Sequence, residues 1–305
     1  MLIRINALAR IACVALSLGL LAVPAVPGTT AAQQPVLVSS DWLAKRLGTP
    51  ALVIIHTGMN RADYDAGHVP SARFLAFGSY AVDRDSLSTQ LPPVAQLDSV
   101  LEAAGVDDAS HVVIYGQPIP AARLFMTIEY LGLGGRVSVL DGGLDAWREE
   151  GRALATDAPA AAHGPFTPRP RADLVVDAAW VNAARTGRPN VVVLDARTPE
   201  FYAGTNAPNP MSLRPGHIPG AGNVPFTSLT GELTKLRSES ALRRLFTAAG
   251  ATPGKAVVTY CHIGMQASLL YLAARRLGYT AHLYDGAFED WGRRTELPVT
   301  GRREK

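Results

Sequence analysis

The chain has 305 residues, enough for two domains of ordinary size, and its 48% hydrophobic and 18% charged content is typical of a globular protein with a buried core. The formal net charge is only +3, and Arg4 and Arg10 supply two of those positive charges. No basic stripe remains in the rest of the chain, so the composition gives no indication of a nucleic-acid partner.

Residues 1–32 have the layout of a secretory signal peptide. Arg4 and Arg10 precede an apolar run at 11–23, and small residues follow it. The run is too short for an ordinary membrane span, which leaves a retained anchor as the alternative. We therefore expect a periplasmic or secreted protein with no stable membrane span after processing. Cys13 lies near the start of the apolar run, and we expect it to be removed with the signal.

The remainder of the chain contains the same set of features twice. The first copy comprises Ala51–His56, Gly67–Pro70, Val112–Gly116, Val139–Gly143 and Trp147. The second comprises Val191–Asp195, Gly216–Pro219, Val257–Cys261, Leu283–Gly286 and Trp291. Because the order is the same and the spacing nearly constant, the sequence predicts two similar domains, at 36–155 and 172–301, joined by a Pro-rich linker at 156–171.

Each copy alternates short β-branched runs with amphipathic stretches. Val191–Leu194 and Ala256–Tyr260 are typical of buried parallel strands, and Ala267–Leu277 has helical spacing that ends at Gly278. Strand, loop, helix and strand in this order predict an α/β fold, in which each domain is a parallel β-sheet flanked by helices.

Cys261 directly follows one of these predicted strands. Ligands of open α/β sheets bind at the carboxyl ends of strands, where Cys261 lies. The short turn at 261–266 precedes a helix, so its backbone N–H groups can form an anion cradle. Such positions have thiol pKa values of about 3.5–7.5, and we expect a reactive thiolate. An inert buried thiol is the alternative.

Four segments together resemble the tandem-domain rhodaneses, which are thiosulfate and 3-mercaptopyruvate sulfurtransferases. They are Asp195–Tyr202, Gly216–Pro225, the turn Cys261–Gln266, and Tyr284–Trp291. The resemblance covers about 36–300 and implies two tandem rhodanese-like domains. It also implies that the Cys261 thiolate takes a sulfane sulfur from a small anionic donor as a persulfide and passes it to a thiophilic acceptor, cyanide or a thiol. No cofactor is implied.

The same resemblance implies the residues that bind the substrate. The loop residues His262, Ile263, Gly264, Met265 and Gln266 would hold the transferred sulfur with their N–H groups.

Arg197 would bind the anionic end of the donor, for which its planar fork is suited. A structural ion pair of Arg197 with Glu200 or Asp195 is the alternative. His68 and His217, like Asp141 and Asp285, occur in both copies, which favours structural roles for them.

The first copy is predicted to be catalytically silent. Gly116 stands in the place of Cys261, Gly58 stands in the place of Arg197, and Pro118 and Pro120 remove N–H donors from the turn. In the second copy, the catalytic turn contains neither lysine nor arginine. The turn therefore matches neither subgroup of the family cleanly. Its Cys-His-Ile-Gly start resembles bacterial tandem enzymes that are grouped with the thiosulfate sulfurtransferases, which implies thiosulfate as the donor, with 3-mercaptopyruvate as the second choice.

Two other functions are alternatives to sulfur transfer. A phosphatase of this type needs Cys-x5-Arg, but Ala267 stands where the arginine would be. A non-catalytic periplasmic sulfur-binding or redox-partner module stays open, since a lone accessible cysteine is compatible with it. One mature cysteine and scattered histidines do not predict a metal site.

Overall fold

In a computed structural model of the chain, the structure describes residues 34–157, 159, 164–206 and 214–301. The predicted signal peptide at 1–32, with Cys13, lies outside the described residues, as does part of the predicted linker. The described residues of 156–171 contain neither helix nor strand. Across the described parts of the chain, every helix is too short or too polar to cross a bilayer.

The first domain is built on a parallel sheet with the strand order β1-β7-β6-β2-β3. Its strands are β1 (Leu37–Val38), β2 (Leu52–Gly58), β3 (Ala72–Ala76), β4 (Val82–Arg84), β5 (Leu87–Gln90), β6 (His111–Gly116) and β7 (Val137–Leu140). Its helices are α1 (Ser40–Ala44), α2 (Ala62–Asp65), α3 (Val94–Ala103), α4 (Pro118–Ile128) and α5 (Gly143–Glu149). Strands β4 and β5 form a separate antiparallel hairpin between β3 and α3.

The second domain repeats this arrangement with the order β8-β12-β11-β9-β10. Its strands are β8 (Val175–Val176), β9 (Val191–Asp195), β10 (Gly222–Asn223), β11 (Ala256–Tyr260) and β12 (Thr280–Tyr284). Its helices are α6 (Ala178–Gly187), α7 (Pro199–Ala203), α8 (Glu239–Ala248), α9 (Met265–Arg276) and α10 (Ala287–Arg293). The α/β class with two parallel sheets is therefore confirmed, and the sequence repeat corresponds to the same strand order in both domains.

Helices α4 and α9 pack against each other where the two domains meet. Both are amphipathic only weakly, because nearly every residue of α4 and most of α9 is buried. Their apolar side chains belong to a single cluster that continues into both sheets. The domain interface is thus an extension of the core, with the helices that follow β6 and β11 at its centre.

Each domain also extends a segment over the carboxyl end of the other domain's sheet. In the first arm, residues 82–91, the N–H of Leu91 donates to the Asp285 carboxylate at 2.8 Å. In the second arm, residues 230–236, the N–H of Leu236 donates to the Asp141 carboxylate at 2.9 Å. The two carboxylates are equivalent in the repeat, so the arms are exchanged symmetrically.

Candidate active site

Cys261 follows β11, the central strand of the second sheet, and is fully buried. Residues 261–264 connect this strand directly to α9. The helix begins at Met265 and not at Ala267 as the sequence predicts. Gly264 has φ +83° and precedes the first helical residue, and a Cβ there would come within 3.1 Å of the Asp285 carbonyl oxygen. The turn is therefore tighter than expected.

The carbonyl groups of the turn are held by neighbouring elements. The N–H groups of Phe288 and Glu289 and the hydroxyl of Thr89 bind the carbonyls of Cys261, His262 and Ile263, respectively, the first two at 2.9 Å. The hydroxyl of Ser268 binds the Gly264 carbonyl at 2.9 Å. Since each peptide group presents its oxygen to these donors, the orientation of the opposite N–H groups is fixed as well.

Three backbone N–H groups near the start of α9 act to lower the pKa of the Cys261 thiol. They belong to Ala267, Ile263 and Gln266 and stabilise the thiolate. Burial acts more strongly in the opposite direction, and together with the Asp195 carboxylate it raises the pKa of Cys261 above its usual value. The expectation of a depressed pKa is therefore wrong, because complete desolvation of the sulfur outweighs the N–H cradle.

The predicted loop residues occupy different surroundings. The His262 ring contacts the ring of Phe201 edge-on, with centroids 4.5 Å apart, and burial lowers the pKa of His262 to about 4, so the ring is neutral at pH 7. The amide oxygen of Gln266 is buried and has no hydrogen-bond partner among the described residues. Met265 faces a cavity of about 870 Å³ that lies at the carboxyl ends of β2 and β6.

Arg197 is 1% exposed and pairs with Asp195, with Nη2 2.6 Å from the carboxylate and Nε 3.0 Å from both oxygens. Its Nη2 also donates to the Gly216 carbonyl at 2.8 Å. The ion pair with Asp195, which the sequence leaves open as the alternative, is thus formed. The donor-binding role of Arg197 stays a prediction.

The first domain lacks the elements of this site. Gly116 has φ +147°, and a Cβ at this position would lie 2.0 Å from the carbonyl oxygen of Thr57. A cysteine at Gly116 would therefore collide with the neighbouring strand β2. Across the residues that the structure describes, no group of three or more His, Cys, Asp or Glu side chains is placed to hold a metal ion.

Comparison with known proteins places this geometry in a family. The rhodanese-like domain matches residues 39–150 and again 177–294. The chain belongs to the tandem-domain rhodanese family of sulfurtransferases. It is 31% identical to the 3-mercaptopyruvate sulfurtransferase of Escherichia coli over 86% of this chain and 96% of that protein. It is 30% identical to the thiosulfate sulfurtransferase of Pseudomonas aeruginosa over 87% and 97%, respectively.

A solved structure has the same fold. The anaerobic ergothioneine biosynthesis enzyme from Chlorobium limicola, in complex with trimethyl histidine, superposes with a TM-score of 0.79. The superposition covers 88% of this rhodanese and 71% of that enzyme at 22% identity.

Sequence reasoning missed the residues that hold the catalytic turn in this rhodanese. Thr89 belongs to the first arm and is distant in sequence from the Ile263 carbonyl that it binds. Phe288 and Glu289 lie within the segment 284–291 that carries the family resemblance, so their position in the repeat was a usable signal. Thr89 offered no such signal, because only the packing of the two domains brings it to the turn.

Proposed function

We propose that this rhodanese is a thiosulfate sulfurtransferase in which Cys261 carries the transferred sulfur as a persulfide. The observation that supports it is the position of the Cys261 thiol at the end of β11, in a turn whose carbonyls bind the N–H groups of Phe288 and Glu289 and whose own N–H groups act to lower the pKa of the thiol. These N–H groups of the turn stabilise negative charge that develops on sulfur when the site is occupied. No other thiol is present in the described residues.

The reaction proceeds in two displacements. After the thiol loses its proton to solvent, the Cys261 thiolate attacks the outer sulfur of thiosulfate, a new S–S bond forms, and sulfite leaves with the electron pair of the old bond. Cyanide or a thiolate then attacks the terminal sulfur, and the electron pair of the cysteine S–S bond returns to Cys261. The N–H groups of Ile263, Gln266 and Ala267 compensate for the charge in both steps.

The choice of thiosulfate over 3-mercaptopyruvate rests on the turn. The curated relatives include both kinds of enzyme at similar identity, so overall similarity does not discriminate between them. The turn begins Cys-His-Ile-Gly, a start that resembles bacterial tandem enzymes grouped with the thiosulfate sulfurtransferases, and this favours thiosulfate. The absence of a lysine or arginine from the turn is an argument against it, because cationic side chains in the turn would attract the dianionic donor. Parallel kinetics with both donors test this choice, and a higher kcat/KM for 3-mercaptopyruvate would contradict it.

We also propose that the protein is exported and acts in the periplasm or outside the cell. The supporting observation is the charged, apolar and small-residue order of residues 1–32. The test is N-terminal sequencing of the protein recovered from a periplasmic fraction. A start near residue 33 supports export, whereas an intact Met1 in the cytoplasm would contradict it.

The persulfide is tested by intact mass. We expect the mature protein to gain one sulfur atom after incubation with thiosulfate and to lose it on addition of cyanide, with formation of thiocyanate. Cys261→Ser should remain folded and gain no sulfur. If the wild-type protein takes up sulfur but transfers it to no acceptor, the non-catalytic sulfur-binding function is favoured instead.

A further inference from the structure

A buried cation from the silent domain lies behind the catalytic turn. Arg123, on α4, is fully buried and has its Nη1 2.6 Å from Oδ1 of Asp285 in the second domain. Its Nη2 donates to the Thr89 carbonyl in the first arm at 2.7 Å. The contact with Asp285 is an ion pair without hydrogen-bond geometry, whereas the contact with the first arm is a hydrogen bond. One guanidinium on α4 is therefore in contact with two further elements at the domain interface.

This ion pair packs directly against Gly264 of the catalytic turn. The position that a Cβ of Gly264 would occupy lies 3.2 Å from Oδ1 of Asp285 and 3.4 Å from Nη1 of Arg123. The other Asp285 oxygen accepts the Leu91 N–H, and the Thr89 hydroxyl binds the Ile263 carbonyl. The catalytic turn thus lies between the Arg123–Asp285 ion pair and the first arm.

The silent site supplies an internal comparison. Asp141 is the counterpart of Asp285, and it accepts the Leu236 N–H of the second arm in the same manner. Ser268 stands at the same distance after Cys261 as Arg123 stands after Gly116. Its hydroxyl binds the Gly264 carbonyl. The charges of Lys235 and Arg276 act on Asp141, but both of these side chains are partly exposed. The arm contact is therefore common to both sites, but among the residues that the structure describes, a fully buried cation pairs with this aspartate only behind the turn that carries the thiol.

We infer that Arg123 is a positioning residue for sulfur transfer, which holds Asp285 and the first arm against Gly264 so that the turn's N–H groups face the sulfur of Cys261. The inference rests on the proposed function only in taking Cys261 as the reactive atom. Arg123 is fully buried and binds the Asp285 carboxylate and the Thr89 carbonyl. Its effect passes through Asp285 and the backbone of the turn.

The test must separate positioning from stability. Arg123→Met alone leaves the Asp285 carboxylate buried without a cation, which destabilises the fold. In the double variant Arg123→Met/Asp285→Asn no charge is left unpaired, and the asparagine oxygen can still accept the Leu91 N–H. We therefore expect the double variant to recover most of the melting temperature that the single variant loses, while its kcat for thiocyanate formation stays at least tenfold below that of the wild type.

The pH profile provides a readout that stability does not change. In the double variant the Leu91 N–H still binds residue 285, but the bond from Arg123 to the Thr89 carbonyl is lost. The turn is therefore held less firmly, and its N–H groups stabilise the thiolate less well. The apparent pKa for alkylation of Cys261 by iodoacetamide should therefore move to higher pH in the double variant. Asp141→Asn, the matched change at the silent site, should leave both kcat and the alkylation profile as in the wild type.

If the double variant regains wild-type kcat together with its melting temperature, Arg123 acts only on stability and the inference is overturned. An equal loss of kcat in Asp141→Asn would also overturn it. A wild-type protein that takes up no sulfur contradicts the proposed function, and the alkylation profiles of the variants would still test the positioning of Cys261.

Discussion

Arg197 and Asp195 form a buried ion pair at the end of β9, where the family resemblance implies a donor-binding arginine. Both side chains are at most 1% exposed, and the guanidinium also lies over the ring of Phe288 at 4.1 Å. Burying two charges is expensive, and their attraction compensates for this only while both partners are present. The immediate consequence of losing Arg197 is therefore an unpaired carboxylate in the core.

We predict that Arg197→Met lowers the free energy of unfolding by about 3–5 kcal/mol, because Asp195 is left buried without a cation. Urea unfolding measures this loss. Arg171→Met is the matched control, since Arg171 and Asp173 form an exposed pair at 2.7 Å and its removal should change stability by less than about 1 kcal/mol. A tenfold rise in the thiosulfate KM without loss of stability would contradict the prediction and support donor binding by Arg197.

At the scale of elements, the strands and the repeat could be predicted from the sequence, but the contacts between the domains could not. The β-branched runs before Asp195 and Cys261 correspond to β9 and β11, because buried parallel strands have a distinctive composition. The exchanged arms could not be predicted, since each is fixed by a carboxylate on the far domain. The net pKa of Cys261 was missed for the same reason: burial of the thiol depends on how the domains pack, which local sequence does not contain.

The ends of β6 and β11 show why the two domains differ in chemistry. We predict that Gly116→Cys creates no second site for sulfur transfer. The substitution should also lower the free energy of unfolding by about 2–5 kcal/mol. The added Cβ would meet the Thr57 carbonyl at 2.0 Å, and φ +147° is unfavourable for any residue with a Cβ. Denaturant unfolding and the intact mass after thiosulfate, in a Cys261→Ser background, check both parts.

Gly58→Ala is the matched control for this prediction. It lies on β2 in the same region, and a Cβ there would approach nothing closer than 3.8 Å. Its stability should change by less than about 0.5 kcal/mol. Sulfur uptake by Gly116→Cys in the absence of Cys261 would show instead that the strand ends can separate enough to form a second cradle.

On the scale of the whole molecule, the domains are joined by polar contacts as well as by the apolar cluster between α4 and α9. The buried carboxylate of Glu129 accepts the Tyr271 hydroxyl at 2.8 Å and pairs with Arg275 at 2.9 Å, both on α9. Together with the exchanged arms, these contacts make the catalytic turn depend on the first domain, although that domain lacks a thiol. We therefore expect conditions that destabilise the first domain to affect the second as well.

Acid is such a condition. Burial lowers the pKa of His56 and His111 in the first domain and of His262 in the second from 6.5 to about 4. Between these values the unfolded chain binds more protons than the folded one, so stability is present above pH 6.5 and is lost as the pH falls toward 4. Each group contributes at most about 1.4 kcal/mol per pH unit. We predict that the free energy of unfolding falls by up to about 4 kcal/mol per pH unit over this range.

Replacement of one histidine at a time isolates this effect from the titration of carboxylates, which the variants share with the wild type. We expect His56→Gln, which removes one of the two low-pKa imidazoles of the first domain, to reduce the pH dependence between pH 6.5 and 5 by at most about one third, because burial lowers the pKa of His217 as well. Urea unfolding at a series of pH values measures this reduction. His262→Gln should reduce it by the same fraction, although this residue lies beside Cys261 in the other domain. If the acid sensitivity is unchanged in both variants, buried histidines do not cause it. If only one variant responds, the domains unfold separately, and the coupling through α4, α9 and the arms is weaker than their contacts indicate.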